Sequence, residues 1–150
     1  MSSDPTFETQ VLINAPIDLC WRVLCDTASY PTWNPSMPRA DGTPAPGGKV
    51  VLHLAVTPHI HARAPVKVLE FAPPNTLVWQ GGLSFAKSLV NVTHSFFLRP
   101  QGAQTEFVNH EVFAGALCRL AAPLLKLNMT GRYPVYNAAF KARCEALARR

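Results

Sequence analysis

The run from Ala116 to Arg150 reads as helix, and it limits what the rest of the chain can be. Met129, Tyr133, Tyr136, Phe140 and Cys144 recur at steps of four and three, which stacks them on one face of an α-helix. A second stripe of small residues, Gly131, Val135, Ala138, Ala139, Ala142 and Ala146, lies on another side, while Lys141, Arg143, Glu145 and Arg149 keep part of the circumference wet. A helix apolar on more than one side is expected to be held by other structure rather than laid on it. Leu117, Leu120, Ala121 and Leu124 make their own stripe on the first segment. Pro134 is the awkward residue. An interior proline loses a backbone bond and clashes with the preceding turn, at roughly 3 kcal/mol, so a kink or break is expected near Gly131 to Pro134.

Upstream of that run the pattern is mostly strand. Phe7 to Asn14 alternates and carries Val11, Leu12 and Ile13, a first strand. Pro16 and Asp18 suit the start of a helix with Ile17, Cys20, Trp21 and Leu24 as its buried stripe, ending near Asp26. Tyr30-Pro-Thr-Trp33-Asn34-Pro35 suits a short helical turn or rigid loop. The Pro/Gly-rich stretches Pro35 to Pro38 and Gly42 to Gly48 flank at most a short strand. Val50 to Val56 puts Val50, Leu52, Leu54 and Val56 on one face, and His59 to Phe71 forms a longer strand in which Pro65 argues for an edge position or a bulge. Leu77 to Gln80 pairs back, and Leu89 to Arg99 is joined to Thr105 to Phe113 by a hairpin-sized connection. The sum is one early helix and six or seven strands, closed by the long helix.

With 150 residues, 48% of them hydrophobic and 15% charged, the chain is expected to be one globular domain, 1–150, large enough for a core plus a cavity. Its net charge of +5 comes from 14 Lys and Arg that are spread out apart from a loose cluster at Arg143, Arg149 and Arg150. A nucleic-acid face needs a concentrated basic stripe, so that partner is set aside. Cys20, Cys25, Cys118 and Cys144 fall in expected helices without metal-ligand spacing, as free thiols of a reducing compartment do. Met1 to Gln10 lacks the basic start and apolar centre of a signal peptide, and no apolar run reaches spanning length. The expectation is a cytoplasmic protein without stable membrane insertion, as a monomer or homodimer.

The string Ala15-Pro-Ile-Asp-Leu-Cys-Trp21-Arg-Val-Leu24-Cys-Asp26, followed by Tyr30-Pro-x-Trp33-Asn34-Pro35, resembles the N-terminal signature of the START-like (SRPBCC) superfamily of polyketide cyclases, lipid-transfer domains and pollen-allergen-like proteins. Leu77-Val-Trp79, His94-x-Phe96-x-Leu98-x-Pro100, Thr105-x-Phe107, Glu111-x-Phe113-x-Gly115 and Tyr136-Asn137-x-x-Phe140-Lys141-x-Arg143-x-Glu145 fall in the same order. The resemblance runs over about residues 7–148. It implies an α+β helix-grip fold, in which a curved antiparallel sheet wraps a long C-terminal helix and leaves an apolar cavity between them. It implies a small hydrophobic or amphipathic ligand in that cavity. Some members of the superfamily catalyse cyclisation or hydrolysis there.

On the strand Val90 to Leu98 the even positions are apolar apart from His94, so His94 is expected to point inward. On the next strand Phe107, Asn109, Glu111 and Phe113 share a face taken to be the inner one. A histidine and a carboxylate facing a dry cavity can act as a general acid/base pair, or can simply hydrogen-bond to fix the hairpin. Trp33, Trp79, Phe96, Phe107 and Phe113 are the candidate cavity walls, with Leu120 and Leu124 in a roofing segment, Leu117 to Leu127. Phe85 is either a residue of the cavity mouth or the start of a strand. His59-x-His61 puts two imidazoles on one side of a strand, but pairing across Thr57-Pro58 is expected to set His53 opposite Ala62, so the three do not converge and no metal site is assigned. Ser84 and Ser95 carry no nucleophile signature, and no phosphate loop or dinucleotide fingerprint is present. No cofactor is implied. Three functions remain open: a hydrophobic-ligand binder, a cyclase/dehydrase using His94 and Glu111 on a polyketide-like substrate, and a protein-interaction module.

Overall fold

The computed structural model describes residues 3–83 and 85–150. Strand β1 (Thr6–Ile13) leads through Pro16 into helix α1 (Ile17–Cys25) and a 3-10 helix (Thr27–Thr32). Six strands follow: β2 (Arg39–Asp41), β3 (Lys49–Thr57), β4 (Ile60–Ala72), β5 (Thr76–Gly82), β6 (Asn91–Gln101) and β7 (Gln104–Ala114). Two helices end the chain, the short α2 (Ala116–Leu120) and the long α3 (Ala122–Ala148). The strands form one curved antiparallel sheet in the order β1-β7-β6-β5-β4-β3-β2. Neighbours in sequence are neighbours in space except for β1, which crosses to the far edge and pairs with β7. That is the helix-grip architecture.

Alternation within each strand decides what the sheet offers to the helix. Val50 and Leu52 of β3, Val66 and Val68 of β4, Leu77 and Trp79 of β5, Phe96 and Leu98 of β6 and Phe107 of β7 are buried on one face. Against them α3 lays Tyr133, Tyr136, Asn137, Phe140 and Cys144, the bulky stripe plus one asparagine. The aromatic rings form the centre of the contact. Phe140 lies 4.6 Å from Phe107 and 5.6 Å from Trp33, centroid to centroid. α1 closes the other end with Cys20, Trp21, Val23 and Leu24.

Four expectations are corrected. α3 runs on through Pro134 without interruption, and the break falls at Ala121, between α2 and α3. The turn around Pro134 is tied down on both sides, because Arg132 donates to the carbonyls of Ala55 and Val56 at 2.5 and 2.7 Å and the Tyr133 hydroxyl donates to Glu111. Tertiary bonds offset the one that proline removes. Secondly, the small-residue stripe faces outward: Gly131, Val135, Ala138 and Ala142 are exposed, so α3 is gripped on one side only. Thirdly, β4 is an interior strand and its register shift lies between Val68 and Glu70, not at Pro65. The β4–β5 ladder stops at Val66–Gly81, however, so Pro65 is flanked by β3 alone and its missing donor faces no broken ladder. Fourthly, the β3–β4 turn closes at the Thr57–Ile60 pair and an irregularity follows between Ala55 and Thr57, which together set His53 opposite Arg63 rather than Ala62. His53 then pairs with Asp41 at 2.8 Å, and that bond, ahead of the one from Arg39, holds the Asp41 carboxyl below its ordinary value.

Candidate functional site

Between the inner face of β3 to β7 and the middle of α3 lies a cavity of about 270 Å³. Most of its wall is carbon, contributed by residues such as Leu52, Leu54, Val66, Val92, Phe113 and Met129. Small residues form part of the wall, Ala64 on β4 and Gly81 and Gly82 at the end of β5. A loop residue arranges one side, since the Asn34 side-chain oxygen accepts from the backbone N–H groups of Ser36 and Met37 at 3.1 and 2.9 Å.

One cluster of polar groups stands on the wall made by the β6–β7 hairpin. Gly102, at φ 62°, makes the tight turn after β6. From that turn the register runs without a shift, setting Phe96 opposite Asn109 and His94 opposite Glu111. The His94 ring stacks on Phe96 at 4.1 Å and meets the edge of Trp79 at 6.4 Å. Its Nε2 lies 2.5 Å from Asn109 Oδ1 and its Nδ1 lies 3.4 Å from Glu111 Oε1. Asn109 is oriented from behind: its amide nitrogen donates to Asn137 Oδ1 at 3.2 Å, and Asn137 donates to Thr9 Oγ1 at 3.0 Å. On the other side Tyr133 donates to Glu111 Oε2. One hydrogen-bonded chain thus joins β1, α3, β7 and β6.

His94 thus touches the Asn109 amide through Nε2 and the Glu111 carboxyl through Nδ1, and either imidazole nitrogen can donate or accept, as the tautomer dictates. The Tyr133 phenol stays protonated, because burial, and after it the charge of Glu111, pushes its pKa well above the ordinary value.

Of the residues singled out from sequence, Trp79, His94, Asn109, Glu111 and Phe113 line the cavity. Phe96 and Phe107 do not; both are fully buried in the layer where the sheet meets α3. Trp33 packs against Tyr30, Tyr136 and Phe140 in the core instead. Leu120 and Leu124 point into solvent at 81% and 62% exposure, and Leu127 at 79%, so the first segment is no roof. The reason is where α2 docks. Ala116 and Leu117 donate to the carbonyls of Ser88 and Leu89, which leaves Cys118 as the one buried residue of α2. The roof is built one to three turns later by Met129, Arg132, Tyr133 and Tyr136. Met129, Tyr133 and Tyr136 belong to the bulky stripe already read from the sequence, and Arg132, three residues after Met129, is the one that reading did not include. Phe85 is 88% exposed, Ser95 is buried, and Ser84 lies outside the described residues. Among the described residues no group of three or more His, Cys, Asp or Glu stands close enough to hold a metal ion, and no helix is long and apolar enough to cross a membrane.

A family profile described as "Polyketide cyclase / dehydrase and lipid transport" matches residues 4–150. No curated protein matches the chain. Many solved structures share the fold. The Zhui aromatase/cyclase of a Streptomyces species superposes with a TM-score of 0.75 at 16% identity, covering 95% of this chain and 94% of the other. A START superfamily protein from Mycobacterium smegmatis superposes with a TM-score of 0.75 at 16% identity, covering 97% and 99%. A di-domain ARO/CYC from the steffimycin biosynthetic pathway gives a TM-score of 0.77 at 13% identity, covering 98% of this chain and 53% of that one. At these identities the likeness is one of fold.

Proposed function

Since the chain belongs to the polyketide cyclase/dehydrase and lipid transport family, we propose that it binds a small hydrophobic or amphipathic molecule in the cavity under α3. The observation that carries this reading is the cavity of about 270 Å³, walled mostly by carbon and holding a few hydrogen-bonding groups. Pockets for small apolar ligands are built this way, with a few polar groups setting the orientation. The proposal includes a cytoplasmic setting, one or two copies of the chain and no resident cofactor. Native mass spectrometry of freshly purified protein tests it. A non-covalent adduct is expected that disappears on unfolding and is missing from Ala64→Phe, a variant that fills the cavity. A bare mass in both proteins, with no uptake of any apolar probe, rules the reading out.

The contact between His94 and Glu111 favours a second reading, a cyclase/dehydrase-type enzyme acting on a polyketide-like substrate. An imidazole and a carboxyl group side by side on the wall of an apolar pocket can give and take a proton, as enolisation and dehydration require. Glu111→Gln separates the two readings: an enzyme loses turnover while keeping its fold, and a binder keeps its ligand. The interaction-module alternative called for a filled core, and the cavity argues against it.

A further inference from the structure

We infer that Arg132 reads an anionic headgroup at the cavity mouth, which makes the ligand an amphipath with an apolar body, a neutral polar end inward and an acidic end outward. This inference rests on the cavity being a ligand site, as proposed above. Arg132 lines the cavity three residues after Met129 and four before Tyr136, on the stripe of α3 that covers it. Its guanidinium is held from outside the pocket, where one terminal nitrogen donates to the Ala55 and Val56 carbonyls at the end of β3. Both hydrogens of that nitrogen are spent on neutral acceptors. Three N–H donors and the whole positive charge remain.

Among the described residues no carboxylate lies within ion-pair distance of Arg132. Glu111, which also lines the cavity, is bound by His94 and Tyr133 instead. The two polar features of the pocket therefore differ in kind. The inner one is the cluster of His94, Asn109 and Glu111, which offers hydrogen bonds and would set a ligand carboxylate against Glu111. The outer one is a fixed, uncompensated cation. A ligand with an acid group gains a charge-assisted hydrogen bond only if that group stays at the mouth.

Matched ten-carbon probes test this: decanoate, decanol and decylamine, each titrated against the full-length protein by calorimetry at pH 7.5. Decanoate is expected to bind about tenfold more tightly than decanol, and decylamine most weakly. In Arg132→Gln the advantage of decanoate should shrink to within about twofold, and Arg132→Lys should restore it because charge is what is read. Arg132 is overturned as a headgroup reader, with the cavity reading intact, if decanol and decanoate bind alike, or if Arg132→Gln weakens all three probes equally, as loss of a mere clamp between α3 and β3 would. Binding of none of the three, in protein shown to be folded and ligand-free, overturns the cavity reading and this inference with it.

Discussion

His94 on β6 and Glu111 on β7 are cross-strand partners whose side chains meet at 3.4 Å, Nδ1 to Oε1. Asn109 and Tyr133 bind the two outer ends of that contact. Glu111→Gln preserves shape, still accepts from Tyr133 and can donate its amide N–H to His94 Nδ1, but the carboxyl group is gone. We expect a loss of only about 1 kcal/mol in urea unfolding, since the hydrogen bonds are kept in weaker form. His94→Phe is expected to change ligand affinity without unfolding the protein, and unchanged binding would remove His94 from the site.

Tyr133 supplies a pH dependence whose sign can be worked out. The native phenol has a pKa well above the ordinary value because it is buried and faces Glu111, whereas an unfolded tyrosine ionises near pH 10. Its contribution is complete below that pH and is lost as the pH rises further, since only the unfolded chain releases the proton. The urea midpoint should therefore fall as the pH rises from about 9.5 to 11.5, and fall less in Tyr133→Phe. Tyr30 and Tyr136, raised by burial as well, keep part of the slope in that variant.

Burial pushes the Cys25 thiol up to about 12 and raises Cys118. Only thiolates react quickly with disulfide reagents. At pH 8.5 the native protein should label these two cysteines far more slowly than the urea-unfolded chain does. Fast labelling of Cys25, located by peptide mass mapping, would contradict its protonated state.

Gly115 links β7 to α2 at φ 115°, and a Cβ there would press on the Leu89 carbonyl. Gly115→Ala combines a disfavoured backbone with a clash, so a loss of about 1–3 kcal/mol is expected. Hydrogen exchange should show the α2 contacts to Ser88 and Leu89 opening first.

Phe140 is fully buried where α3 crosses the sheet. Phe140→Ala should cost about 3–5 kcal/mol in thermal or urea unfolding. Val135→Ala, on the outward face at 55% exposure, should change stability by less than about 0.5 kcal/mol. Equal losses at the two positions would mean that α3 is gripped on both sides after all.

Much of this architecture was legible because periodicity is a local property. The alternation of Val50, Leu52 and Leu54, of His94, Phe96 and Leu98, and of Phe107, Asn109 and Glu111 names one face per strand. The step of three and four from Met129 to Cys144 names the gripped face of the helix. His94 and Glu111 could be matched in advance because a short hairpin fixes the register between them.

Beyond that the chain's own pattern was silent or misleading, and for one reason. A stripe states that residues share a side, not what lies opposite. Leu120, Leu124 and Leu127 have the spacing of a roof, yet α2 docks on the 83–90 loop and turns them to water. Phe96 and Phe107 have the face of a cavity wall, yet α3 lies directly upon them. Pro134 has the chemistry of a break, but anchors on β3 and β7 hold the turn around it. Arg132 carries no signal in the local pattern, and only the Ala55 and Val56 carbonyls of β3 fix it against the cavity. Sequence by itself determined which residues belong to each face of each element. Tertiary structure alone decided which faces meet and where they stand apart, because a void and its one uncompensated charge arise from contacts between segments far apart in the chain.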